Sequence, residues 1–226
     1  MRRILLSWSS GKDSAWTLHL LRQQSDVEIV GLLTTLNEAA NRVAMHAVRR
    51  ELLEAQADSA GLPLWPVFLP WPCSNDEYER RMAAVIAKAR EAGITHVAFG
   101  DLFLEDVRAY RVRQLQGTGI EPLFPLWGSA GDTPALAARM MAAGLRAVLT
   151  CVDPTQLAGS FVGRQFDAEL LADFPRQVDP CGERGEFHTF CYDGPMFARA
   201  IPIEVGEIVT RDAFCFADVT NARAGA

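Results

Sequence analysis

Lysine is nearly absent from this chain: among 22 basic residues only Lys12 and Lys88 are lysines, and the rest are arginines. Positive charge is also outnumbered, with 22 Lys+Arg against 28 Asp+Glu and a net charge of −6. No overall positive field draws such a protein onto nucleic acid or an anionic membrane, and only a local basic groove is left open. Long apolar runs are missing. Ile4 to Leu6 is broken by Ser7, and Val27 to Leu36 is about half of the ~20 residues that a bilayer span needs. Paired cysteines are missing too. Cys73, Cys151, Cys181, Cys191 and Cys215 are scattered, form no C-x-x-C pair and follow no secretory leader, which predicts a reduced, cytoplasmic protein.

What remains is an ordinary folded composition. The 226 residues are 49% hydrophobic with 17 Gly and 12 Pro, enough for one large or two small domains. Arg3 to Trp8 reads as a strand, and Ser14 to Gln24, with Ala15, Leu18, Leu20 and Leu21 near helical spacing, as a helix. The run Val27 to Thr35 is continuous rather than alternating, as in a strand covered on both faces. Ala44 to Ala60 carries Val48, Leu52, Leu53 and Ala57 on one stripe and stops at Gly61. Leu64 to Leu69 follows as a strand, Asn75 to Ala92 as a helix with Asp76 and Glu77 at its front, and Thr95 to Phe99 as a further strand.

This alternation predicts an α/β fold with a doubly wound parallel sheet over residues 1–130. Pro122, Pro125, Gly128, Gly131 and Pro134 punctuate the chain and place a boundary near 125–135. Beyond it, Pro134 to Ala143 reads as a helix, Leu145 to Val152 as a strand and Phe166 to Phe174 as a helix. Short strands around Asp193-Gly194-Pro195 and Gly206 complete a smaller α+β domain over 131–226, whose last residues are expected to fray.

Ser9-Ser10-Gly11-Lys12-Asp13-Ser14 lies between the first strand and the first helix. Backbone N–H groups and a helix N-terminus there face one small volume, which favours an anion. Gly11 permits close backbone approach, Ser9 and Ser14 add hydroxyls, and Lys12 supplies the full charge that a polyphosphate needs. A Walker A loop is excluded, because Leu6 and Asp13 stand where it requires Gly and Ser or Thr. The plainer alternative is a polar turn in which Asp13 and Ser14 cap the helix. Gly117-Thr118-Gly119 begins like a dinucleotide loop, but Pro122 occupies the position of the last glycine and rules it out.

Ser9 to Ser14 resembles the pyrophosphate loop of the N-type ATP pyrophosphatases, the PP-loop or adenine nucleotide alpha hydrolase family, with Ser10 where the second residue is normally glycine. Three further stretches resemble the diphthine-ammonia ligase group: Met45-His46; Phe99-Gly100-Asp101-Leu102 with Arg111 beyond; and Cys181 to Phe190 with Asp193 to Phe197. Two departures stand out. His188 takes the place of a common glutamate, and the segment after Asp101 reads Leu-Phe-Leu-Glu-Asp. Alanine- and arginine-rich, lysine-poor usage is of the kind that a high-GC bacterial genome produces.

The resemblance implies a Rossmann-like PP-loop domain that takes ATP and Mg2+, cleaves ATP between the α and β phosphates, and adenylates a carboxylate or amide oxygen. Ammonia or another amine then displaces AMP. The partners it implies are ATP, ammonia and an unidentified acceptor in a homodimer, with no nucleic acid and no membrane. Catalytic roles fall to Lys12, Asp101, Glu183 and Glu186, and nucleotide contacts to Ser9, Ser10, Gly11, Lys12, Asp13, Ser14, His46 and Gly100. Arg111, Glu183, Glu186 and His188 are substrate contacts.

Each assignment has a plainer rival. Asp101 is equally a turn carboxylate, Glu183 and Glu186 a solvated turn, His46 a capping residue and Arg111 half of a surface ion pair. Cys181, His188 and Cys191 lack zinc-ligand spacing and read as buried thiols and an isolated histidine, with no protein metal site. A nucleotide sensor without turnover is the rival function, and a tRNA-thiolating enzyme, which wants paired cysteines and a basic face, ranks behind it.

Overall fold

The computed structural model describes residues 1–43, 47–211 and 213–222. Its first sheet is built from β1 (Arg2–Ser7), β2 (Val27–Asn37), β3 (Arg42–Val43), β4 (Leu64–Leu69), β5 (His96–Ala98) and β6 (Glu121–Leu123). β1 pairs in parallel with β2 on one side and β5 on the other, β4 continues beyond β2, and β6 beyond β5. The short β3 folds back antiparallel on the end of β2. Both outer strands contain a proline, Pro66 in β4 and Pro122 in β6, which a sheet tolerates at its edges.

The helices between these strands are α1 (Lys12–Leu21), α2 (Arg50–Ala60), α3 (Asn75–Glu91) and α4 (Glu105–Leu115). Period-two alternation in β1 divides the core. Ile4 and Leu6 join Leu18, Leu52 and Leu53 of α1 and α2, whereas Leu5 joins Ile86 and Ala89 of α3 and Leu115 of α4. Helices therefore cover both faces, and the sheet is doubly wound as expected. The chain runs outward through β2 and β4, then returns to β5 on the opposite side of β1. The carboxyl ends of β1 and β5 thus meet at a topological switch point.

The remaining strands, β7 (Arg146–Val152), β8 (Phe187–Asp193), β9 (Ile203–Arg211) and β10 (Phe214–Asn221), form a second sheet in the order β8-β7-β10-β9, antiparallel throughout. Helices α5 (Thr133–Ala142) and α6 (Ala168–Asp173) belong to this half. Val148, Phe190 and Ala217 of the second sheet share one apolar cluster with Ile4 and Leu6 of the first.

Two helix boundaries and one whole helix depart most from expectation. Helix α2 begins at Arg50, after Arg49 in extended backbone, although the apolar stripe was readable from Ala44, and residues 44–46 lie outside the described part. Helix α6 is confined to Ala168–Asp173 because Asp167 caps it, accepting from the Leu170 N–H at 2.8 Å. Helix α4 was not anticipated: it buries only Leu115, so it carries no apolar stripe to read. Among the described residues, no helix is long and apolar enough to cross a membrane.

Candidate functional site

A cavity of 360 Å³ opens where β1 and β5 end, and Ser9, Lys12, Asp13, Asp101, Glu183 and His188 are among its lining residues. Residues 9–14 pass directly from β1 into α1. The N-cap of α1 is Gly11, without a side-chain cap, and the Ser14 hydroxyl donates back to the Gly11 carbonyl at 2.9 Å. The capping turn weighed from the sequence is therefore not what forms, since neither Asp13 nor Ser14 caps the first turn of α1. Ser9 Oγ lies 3.2 Å from Ser14 Oγ and accepts from the Gly11 N–H at 3.3 Å. Ser10 adopts φ 69°, the left-handed region that a glycine occupies without strain, and its hydroxyl is buried with no partner among the described residues.

Lys12 reaches across to the other half of the chain. Its ammonium donates to Asp13 Oδ2 at 2.8 Å and to the Cys181 carbonyl, beneath the rings of Phe187 and Phe166 at 5.3 and 5.5 Å. Its backbone N–H donates to Thr189 Oγ1 at 3.1 Å. Burial alone would pull the Lys12 pKa down, but Asp13, with Cys181 and Glu183, outweighs it and holds the ammonium above its ordinary value.

Gly100 follows β5, and a Cβ there would come within 3.1 Å of Asp13 C and Ser14 N. The glycine allows the β5 loop to lie against the 9–14 loop. Asp101 next to it accepts from Arg111 Nε at 3.4 Å, and the Arg111 guanidinium stacks over Phe99 at 5.0 Å. Burial raises the Asp101 pKa while Arg111 pulls it back. Both side chains line the cavity.

Glu183 and Glu186 occupy different positions. Glu183 lines the cavity and accepts from the Leu102 N–H at 2.7 Å. Burial pushes its carboxyl up to about 7, with Asp13 and Asp101 adding to the shift and the Leu102 N–H and Lys12 opposing it. Glu186 is buried away from the cavity lining and accepts from the N–H groups of Asp179 at 2.8 Å and Arg184 at 3.0 Å, closing the 179–186 turn. His188 is on the lining, and burial, reinforced by Lys12, lowers its pKa to about 4, so the imidazole is neutral near pH 7. His46 lies outside the described residues. Cys181 and Cys191 are buried, and burial pushes the Cys181 thiol up to about 12, an inert state.

Gln56 was not singled out from the sequence. It is wholly buried on α2 and accepts from the Trp8 indole N–H at 2.9 Å. It also donates to the carbonyls of Ser10 at 2.9 Å and Cys191 at 2.6 Å. The signal was a polar residue on the apolar stripe of Leu52, Leu53, Ala57 and Ala60.

Comparison with known proteins places the chain in a family. A family model described as diphthamide synthase N-terminal domain matches residues 1–120, and one described as diphthamide synthase C-terminal domain matches residues 132–223. A protein named diphthine--ammonia ligase from Bos taurus is 24% identical over 247 residues, covering 98% of this chain and 90% of its own length. Its namesake from Danio rerio is 26% identical over 234 residues, covering 93% and 90%. The Homo sapiens counterpart is 22% identical over 245 residues, covering 98% and 90%. Matched in order by both domain models, one on each side of the boundary region, the chain belongs to the diphthamide synthase family.

Proposed function

We propose that this protein is an enzyme, an ATP-dependent amide ligase that forms AMP and pyrophosphate. It adenylates an oxygen of a carboxylate or amide and joins the activated carbonyl carbon to ammonia. The observation that carries this reading is the convergence of the Ser9–Ser14 loop, Gly100–Asp101 and Glu183 on one cavity at the sheet's switch point. The names of the relatives, diphthine--ammonia ligases along nearly the whole chain, support the same reaction class. In this reading residues 1–130 take the nucleotide, residues 131–226 close the site with Glu183 and His188, and the protein works in the cytoplasm.

The chemistry follows from the charges. An acceptor oxygen attacks the α-phosphorus and pyrophosphate leaves; ammonia then attacks the activated carbonyl carbon and AMP leaves. Lys12 and the α1 amides hold phosphate oxygens, and Lys12 exchanges its bond to Asp13 for the ligand. Glu183 is near neutrality and can take the proton that the nitrogen must shed on forming the amide. Asp101, oriented by Arg111, positions the incoming ammonium or acceptor.

Mg2+ fits this site as an ion carried on the phosphates. Asp13 Oδ1 is buried with no hydrogen-bond partner among the described residues. The carboxylates Asp13, Asp101 and Glu183 outnumber Lys12 and Arg111 on the lining. Asp13 and Asp101 would hold the ion, which supplies the positive charge that a polyphosphate needs in such a cavity. A nucleotide sensor without turnover has no use for Asp101 and Glu183 beside the phosphates, and the names of the relatives do not favour it.

The test uses ATP labelled at the α-phosphate, Mg2+ and ammonium, with and without a cell extract as the source of acceptor. Extract-dependent labelled AMP from the wild type, and none from Lys12→Ala or Lys12→Gln, is the expected result. Tight ATP binding with no AMP under any extract would make the protein a sensor instead.

A further inference from the structure

A second cavity, of 510 Å³, adjoins the first, and Val43 and His188 line both. Its walls are largely apolar, with Leu69, Trp71, Val209, Phe214 and Phe216 among them. The charged side chains on its lining are Arg42, Arg211 and Asp218. Asp218 is already engaged, accepting from Arg42 at 2.9 Å and from Arg49 at 2.7 Å. Hydrogen bonds from Arg49 and Arg42 hold its carboxyl down at about 2. Among the described residues the lining thus carries two arginines against one carboxylate, with Arg49 bonding that carboxylate from outside the lining, so the cavity is net cationic with apolar walls.

We propose that this second cavity binds the acceptor, and that the acceptor is a small carboxylic acid with an apolar or aromatic body. The proposal rests on the ligase reading above. Burial against Trp71, Phe214 and Phe216 favours the body of the acid, and the arginines draw its carboxylate in. His188, neutral and shared by the two cavities, lets that carboxylate approach the nucleotide without a competing fixed charge. The reaction converts the carboxylate oxygen into the leaving oxygen of AMP and the acid into a neutral amide. The arginines therefore attract the substrate but not the product, which favours release. A polar zwitterion such as glutamate would leave the apolar walls unfilled and bring an ammonium toward Arg42 and Arg211.

The probe is 1-anilinonaphthalene-8-sulfonate, an aromatic anion whose fluorescence reports apolar binding. Two variants alter the second cavity alone: Ala40→Trp, on an exposed turn that lines it, and Arg211→Glu at its exposed rim. The expected result is at least about tenfold weaker probe binding in Ala40→Trp and a smaller loss in Arg211→Glu, with ATP affinity by equilibrium dialysis kept within about twofold in both. Lys12→Gln, checked for folding by circular dichroism, should show the reverse pattern. Octanoate and 3-phenylpropionate should displace the probe and, with Mg-ATP and ammonium, raise AMP release at least about tenfold over the acid-free rate, with glutamate doing neither. Probe binding unchanged in both cavity variants, or glutamate displacing the probe as well as 3-phenylpropionate does, overturns the proposal. Displacement by the apolar acids without AMP release from any of them upholds the ligand class of the cavity and overturns the ligase reading beneath it.

Discussion

Gln56 Nε2 donates to the carbonyl of Ser10 at 2.9 Å, and this bond holds the residue of the 9–14 loop that adopts a left-handed conformation without being glycine. The same nitrogen reaches Cys191 in β8, while Cys191 N–H donates to Ser10 O at 2.9 Å. A helix from the first half and a strand from the second therefore grip the loop through one buried amide.

Replacing that amide should loosen the loop from beneath. Gln56→Leu leaves the Trp8 indole N–H and the Cys191 carbonyl buried without their partner, at a cost of about 2–4 kcal/mol. Urea denaturation should show the loss, and ATP affinity should fall with it. Unchanged affinity in a folded Gln56→Leu protein would show that the loop holds its path without this contact.

Ser10 pays for its position twice, through φ 69° and through a buried hydroxyl with no partner among the described residues. Ser10→Gly removes both. Relief of about 1–2 kcal/mol is partly offset by the flexibility glycine adds to the unfolded chain, so a net gain of about 1 kcal/mol is expected. For a chain of this size that corresponds to a rise in Tm of about 2–4 °C by scanning calorimetry. A lower Tm would mean that the serine hydroxyl makes a contribution this geometry does not reveal.

Gly100→Ala tests the close approach of the β5 loop. The added methyl would meet Asp13 and Ser14 backbone at 3.1 Å, displacing the loop and costing about 1–3 kcal/mol. ATP affinity should drop about tenfold or more, because the displaced atoms belong to the first turn of α1. Equilibrium dialysis at fixed temperature measures it.

Glu183 imposes a pH dependence on stability. Its folded pKa, pushed by burial to about 7, lies above its ordinary 4.5. Below pH 4.5 the group is protonated in both states and contributes no difference. Between 4.5 and 7 the unfolded chain ionises first, so stability falls as pH rises, on the order of 3 kcal/mol in total. Glu183→Gln should flatten that part of the urea-midpoint profile and be the more stable protein at pH 8, while losing AMP formation. Wild-type activity should rise as pH passes 7 and the base form appears.

Much of the fold was readable because its signals are local. The continuous apolar strands, the helical stripe ending at Gly61 and the acidic front of α3 are patterns among near neighbours, and each element formed there, although α2 begins only at Arg50. α4 escaped notice for the same reason: with only Leu115 buried, its sequence has no stripe. Gln56 was legible only as an oddity, a polar residue in an apolar row.

The chain by itself determined that a glycine-lysine loop follows the first strand of a parallel sheet, since strand, turn and helix are each encoded within a few residues. Only the tertiary structure separated Glu183 from Glu186. Both follow a glycine in one short stretch and look alike in sequence. Yet Glu183 meets the Leu102 N–H at the cavity wall, whereas Glu186 turns inward to the N–H groups of Asp179 and Arg184. That difference depends on which backbone donors the packed second half brings within 3 Å of each carboxylate, and no spacing of residues along a chain encodes it.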